Sequence, residues 1–184
     1  MKKAIIILIV ILTGIGVWGV GAYNSFLKKE NKAIEAWQQV EELYKRRSDA
    51  LPEIVNTVKI YATNECDIYN RVRSARSVCS EIKVDLNNIT SESIALYRAA
   101  QYELTESVRE LIALQEKYDA LKTNQNFIDI KARLLDIKPH IAEAIQNFEN
   151  EVQNYNSALQ KLPNKYIADL FNVRPIDYGN TAHQ

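Results

Sequence analysis

Between Ala22 and Tyr178 the chain contains no glycine, and its prolines fall only at positions 52, 139, 163 and 175. Strands and hairpins need turn residues far more often than that. The chain is therefore predicted to be all-α, with apolar residues recurring at alternating steps of three and four along each helix. The clearest seam is Phe127, Ile130, Leu134, Ile137, Ile141, Ala144, Phe148, Val152, Tyr155, Leu159 and Leu162, without a charged or amide member. A second runs Ile54, Val58, Tyr61, Glu65, Ile68, Val72, Ala75, Cys79, Ile82 and Leu86. The helix before it presents Phe26, Ala33, Trp37, Val40 and Tyr44, interrupted by Glu30 and closed by Arg47. Another presents Tyr97, Ala100, Leu104, Val108, Leu111 and Tyr118, interrupted by Gln115. Four seams predict four bundle helices, and a period near 3.5 favours shallow, left-handed crossing.

The breaks between seams follow capping chemistry. Ser48 or Asp49 is suited to accept backbone N–H groups ahead of Pro52, which is tolerated in a first turn. Asn87 to Thr90 forms the next connection, with Thr90 as N-cap, and Asn124 and Asn126 mark the third. Short connections imply antiparallel neighbours, hence an up-and-down order. Pro139 falls within the last long helix but off its seam, which predicts a kink. After Pro163 the segment NKYIADLF gathers Tyr166, Ile167, Leu170 and Phe171 on one face, and the tail 172–184 reads as irregular.

The amino terminus has a different character. From Ala4 to Ala22 there are 19 residues without a charge, nearly enough to cross a hydrocarbon core of about 30 Å. Gly14, Gly16 and Gly19 have the spacing of a dinucleotide-binding turn, but no βαβ pattern follows them. Residues 1–22 are predicted to be a transmembrane anchor, and 23–171 a four-helix bundle with a short C-terminal amphipathic helix. A cleaved signal peptide is the rival, with Val20 and Ala22 suiting a cleavage site, but the run exceeds the usual h-region. Lys161, Lys165 and Arg174 should join Lys28 and Lys29 near lipid headgroups, the short helix lying against the bundle base or the bilayer. The register implied by a turn at 48–52 would bring polar residues 77–85 level with the anchor, so a bend near Asn24-Ser25 or a tilted bundle is expected.

Charge is balanced, 23 basic against 23 acidic residues, and the basic residues are dispersed, which argues against nucleic-acid binding. Cys66 and Cys79, thirteen residues apart in one predicted helix, would be about 20 Å apart and unable to pair. A di-metal carboxylate bundle needs Glu-x-x-His twice; here His140 precedes Glu143 once, and His183 lies in the tail. No catalytic set, cofactor site or small-molecule substrate is evident. Glu65 is the most informative position, because a carboxylate on an apolar seam must be paired, neutralised or wet. The predicted register places it near Trp37 and Arg76, either as a structural tie fixing helix register or as a functional acid. Lys45-Arg46-Arg47 reads as a solvated helix end, with Arg47 pairing an acid such as Glu53.

Tyr23-Asn24, Asn31, Ala36-Trp37, Arg46-Arg47, Leu51-Pro52, Thr57-Val58-Lys59, Tyr61-Ala62, Glu65 and Ala75-Arg76 together resemble the LemA family. Asn124 with Phe127, Tyr155-Asn156, Leu162-Pro163, Ile167-Ala168 and Phe171 continue the resemblance. Glu53, Lys138-Pro139-His140, Ile145 and Phe148-Glu149 depart from the usual pattern, so the last long helix is the divergent one. The resemblance implies a bacterial single-pass membrane protein with an antiparallel four-helix bundle; it supplies no catalytic residues. Trp37, Arg46, Arg47, Pro52, Glu65, Arg76, Asn124 and Phe127 are its candidate structural or interaction residues. The expected role is a non-enzymatic scaffold or adaptor of the cell membrane, with other envelope proteins or further copies of itself as partners. The alternative is an accessory regulator of a membrane protease or stress-response enzyme. The short basic N-terminus favours a bundle outside the cytoplasm, although the positive charges flanking the anchor are nearly level.

Overall fold

The computed structural model describes residues 2–86 and 88–179, without the side chains of Lys2, Ala4, Leu8, Ile11 and Leu12; the tail residues 180–184, His183 among them, and Asn87 lie outside the described residues. The described residues form six helices: α1 (Lys2–Tyr61), α2 (Cys66–Glu81), α3 (Ser91–Lys117), α4 (Asp119–Lys122), α5 (Gln125–Gln160) and α6 (Asn164–Leu170). The all-α expectation holds.

The first departure is α1. The chain does not turn at 48–52, nor does the helix break at Asn24-Ser25; the uncharged run, the first seam and the start of the second are one 60-residue helix. Apolar contacts explain the continuity. Positions 26, 33, 37, 40, 51, 54, 58 and 62 are all buried, at a spacing that keeps its phase through Pro52, so the helix that continues past the proline keeps burying one stripe. Pro52 is thus an interior residue rather than a first-turn one. It cannot donate to the carbonyl of Ser48 four residues back, and that oxygen instead accepts from the Arg76 Nε–H at 3.2 Å.

The true corner is Ala62 to Glu65. From it α2 returns along α1, with Arg76 reaching Ser48. This register places residues 77–85 beside the middle of α1, where Val84 joins Trp37 and Val40 in one apolar cluster, and the expected clash of polar residues with the anchor disappears. α2 ends at Glu81, and residues 82–90 continue without helix. α3 then runs antiparallel to α2, Arg71 pairing Glu110 and the Cys79 thiol donating to the Ala100 carbonyl. α5 runs back along both α1 and α3, as Arg133–Glu53 and Arg98–Glu149 ion pairs attest. The four main helices therefore alternate in direction, α1 with α5 forming the longest antiparallel contact and α2 with α3 the second.

Capping is as the sequence suggests at two starts. Thr90 and Ser93 form a reciprocal capping box on α3. Asn124 Oδ1 accepts the Phe127 N–H at 2.8 Å at the head of α5. Pro139 lies inside α5, and the predicted seam is buried except for half-buried Ile137 and exposed Leu162. Residues 172–179 are non-helical yet held: Tyr155 donates to the Arg174 carbonyl, and Asn156 exchanges two hydrogen bonds with the Ile176 backbone.

Among the described residues no helix is long and apolar enough to cross a membrane. Within α1 the described side chains from Ile5 to Val17 are largely exposed, Ile15 and Val17 by more than half.

Candidate functional site

Most of the sequence-selected residues fall into two assemblies on α1 and its neighbours. The first is the corner between α1 and α2. Glu65 is not on a helical seam there; it precedes the first turn of α2, and its carboxylate accepts from the Lys117 ammonium and, at 2.9 Å, from the Tyr118 hydroxyl. Neither Trp37 nor Arg76 reaches it, because moving the turn from 48–52 to 62–65 shifts the whole register. Those two donors hold the Glu65 carboxyl below the usual carboxylate range. The same acceptor raises the Lys117 and Tyr118 pKa values.

Asn124 closes the corner from the other side. Its Oδ1 caps α5 while its Nδ2 donates to the Tyr61 hydroxyl at 3.0 Å, and Asn126 donates to the Thr57 hydroxyl. Phe127 is fully buried beneath them with Ile54, Val58 and Leu121. Tyr69 donates to the Ala62 carbonyl at the end of α1. The corner therefore joins the ends of α1, α3 and α5 to the start of α2 by polar contacts above an apolar floor.

The second assembly lies at mid-height. Trp37 is buried edge-on against Tyr97 and Phe148, with ring centroids 5.2 and 5.0 Å away, and Tyr44 meets Tyr97 at 5.7 Å. Its indole N–H is buried without a hydrogen-bond partner. Burial raises the pKa of the neighbouring Glu41 carboxyl. Arg47 does not pair with an acid. Glu53 belongs to Arg133, while the Arg47 guanidinium donates to the Thr105 hydroxyl at 2.7 Å and the Gln101 amide oxygen at 2.6 Å, 5.0 Å from the Tyr44 ring centroid. Desolvation lowers its pKa. Arg46, by contrast, is exposed and pairs with Glu42 one turn back, so it joins neither assembly.

Gln101, Thr105 and Lys117 were not singled out by the seams. Gln101 sits beside Ala100 on the amphipathic α3, where a polar residue is no anomaly, and its role depends on α3 running parallel to α1, which local periodicity does not encode. Cys66 is exposed, Cys79 half-buried, and both are free. His140 is exposed on α5. Among the described residues no group of three or more His, Cys, Asp or Glu side chains is placed to hold a metal ion. Each assembly ties one helix to another through a charged group, Glu65 at the corner and Arg47 at mid-height, and in the second the Arg47 Nε–H, like the Trp37 indole N–H, is buried without a hydrogen-bond partner.

One open surface lies outside both. Between the outward faces of α2 and α3 runs a groove of about 700 Å3 bordered by Ala75, Val78, Leu96 and Tyr102, with Arg71 and Glu103 on its rim.

The model of the family described as LemA matches residues 36–184, which takes in both assemblies. No curated protein matches this chain.

Proposed function

The chain belongs to the LemA family, and from that premise we propose that it is a non-enzymatic, single-pass scaffold or adaptor of the cell membrane, its bundle on the extracytoplasmic side. The observation that supports this reading best is the continuity of α1. One helix, about 90 Å long at 1.5 Å per residue, begins in the uncharged run and ends at the far corner of the bundle. A bundle carried on such a helix is held at a fixed height and rotation relative to a bilayer that takes up residues 4–22. The support for the anchor itself is the sequence: 19 uncharged residues, a basic start at Lys2-Lys3, and Trp18 and Tyr23 at the end where aromatic residues favour the interface.

The polar groups of the two assemblies serve helix register rather than chemistry. Partner recognition then falls to exposed helical faces, among them the largely apolar α2–α3 groove. The same groove favours a second reading, an accessory regulator of a membrane protease or stress-response enzyme that takes a helix of that enzyme there. In-cell crosslinking of the tagged full-length chain, with identification of what co-purifies, tests both. An abundant envelope partner supports the adaptor, a protease whose activity changes on deletion supports the regulator, and turnover of a substrate by the purified chain would overturn both.

A further inference from the structure

α6 and its flanks present two different faces. The inward one is built: Ile167 and Ala168 are buried with Phe26, Tyr155 and Leu159, and a Cβ on Gly19 would lie 3.3 Å from Ile167 Cδ1. Phe171 stacks on Tyr23, with ring centroids 5.0 Å apart. The short helix thus rests on α1 at residues 19 to 26, level with the last turn of residues 4–22 and the uncharged turn Tyr23-Asn24-Ser25-Phe26 that follows it, one turn before Lys28 and Lys29. The outward face is apolar and bare: Leu162, Tyr166 and Leu170 are each about 70% exposed, and Phe171 is half exposed. Around them stand Lys161, Lys165 and Arg174, with Lys28 and Lys29 on the adjoining turn of α1; Asp169 and Glu30 are the nearby acids.

We infer that this corner, residues 161–174, docks into the headgroup region of the bilayer beside α1, so that the bundle is held to the membrane at two points rather than one. This rests on the single-pass reading and deepens it. The occupant follows from continuity and charge. The bare face lies at the level where residues 4–22 end, so a span through that run brings Leu162, Tyr166, Leu170 and Phe171 to the interface without moving the fold. Leucine and tyrosine at that depth bury apolar surface while the tyrosine hydroxyl stays wet. Flanking lysines extend their stems along the acyl boundary and keep their ammonium groups among phosphates. A protein partner would have to occupy the same layer as the lipid headgroups.

The test uses the full chain with Cys66→Ser and Cys79→Ser, carrying one environment-sensitive fluorophore on an introduced cysteine. The positions are Leu170→Cys in the corner, Val10→Cys in the uncharged run and Lys122→Cys at the far end. Each is reconstituted into phosphatidylcholine–phosphatidylglycerol vesicles with or without lipid bearing a doxyl quencher at a shallow or a deep acyl position. The expected result is a blue-shifted label at 170 quenched most by the shallow probe, a label at 10 quenched most by the deep one, and a label at 122 quenched by neither. A label at 170 that behaves like the one at 122, while 10 is quenched, overturns the docking and leaves the anchor standing. A label at 10 that remains in water overturns both. Protection at 170 that rises with protein density but resists lipid quenching assigns the face to a second copy and also overturns the proposal.

Discussion

Glu65 ties the far corner, because its carboxylate is the shared acceptor for Lys117 and Tyr118 where three helices meet. Those bonds depress its folded-state pKa below the ordinary 4.5. A carboxyl whose pKa is lower folded than unfolded stabilises the fold fully above the unfolded value, and that contribution disappears as pH falls through the folded one. Glu65→Gln should therefore be less stable than the parent at neutral pH, and the two should converge in acid, as chemical denaturation at both extremes would measure. A constant difference across that range would show that the charge is not what ties the corner. The same residue explains one failure of sequence reasoning. An acid in an apolar seam looks like a buried carboxylate in need of a partner, whereas here the seam itself ends at Ala62 and Glu65 begins the next helix. The anomaly was legible; its cause was not, since Ala62-Thr63-Asn64-Glu65 turns without glycine or proline.

At the scale of elements, α5 was almost wholly readable because a long unbroken period of three and four leaves one way to bury it. α1 was misread because Pro52 after Ser48 and Asp49 has the composition of a helix start. What argues against a break is the phase of the apolar stripe, which passes from Val40 to Leu51, Ile54 and Val58 without slipping. Continuity has a requirement, namely a partner for the Ser48 carbonyl that Pro52 leaves free, and Arg76 provides it. Arg76→Ala should cost about 1.5–3 kcal/mol, the range for a hydrogen bond made by a charged group. In a Pro52→Ala background the backbone N–H at position 52 can take the Ser48 oxygen itself, so the same change should cost less. A double-mutant cycle by equilibrium unfolding reads the coupling, and strict additivity would refute the assignment. Asn124 acts on a different element: Asn124→Ala removes the α5 cap and the bond to Tyr61, and should cost about 1–2 kcal/mol. Asn124→Asp, which keeps the cap acceptor but loses the donor, should recover most of that loss in the same measurement.

The molecule as a whole is uneven along its length. Its core divides into three clusters, one near the α1–α2 corner, one around Trp37 and one around Phe26 next to the uncharged run. α1 and α5 pass through all three, but α2 stops at Glu81, so the lower half lacks a full fourth helix. Extended chain supplies what is missing: Val84 and Ile89 enter the middle cluster, and the segment after α6 returns to place Ile176 and Tyr178 against it. Periodicity could not foresee this, because residues 172–179 carry no helical pattern and are ordered by contacts from other elements: Ser91 donates to Asp177, Tyr155 donates to the Arg174 carbonyl, and α5 presents Asn156. That side chain donates to the Ile176 carbonyl at 2.8 Å and accepts its N–H at 2.9 Å, replacing the strand partner that an isolated extended segment lacks. Two such bonds contribute about 1–3 kcal/mol. Asn156→Ala should therefore lower global stability by that amount, and its effect on local opening should be confined. Native-state hydrogen exchange is expected to lose protection in α1 from about residue 22 to 40 and in α5 from about 144 to 160, while Leu104, Leu111, Phe127 and Ile130 keep theirs. Uniform loss along α1 and α5 would mean instead that the two long helices transmit the change and that the bundle opens only as one unit. Localised loss would mean that the end nearest the uncharged run is held by a clasp of extended chain, which a docked α6 on a bilayer would reinforce.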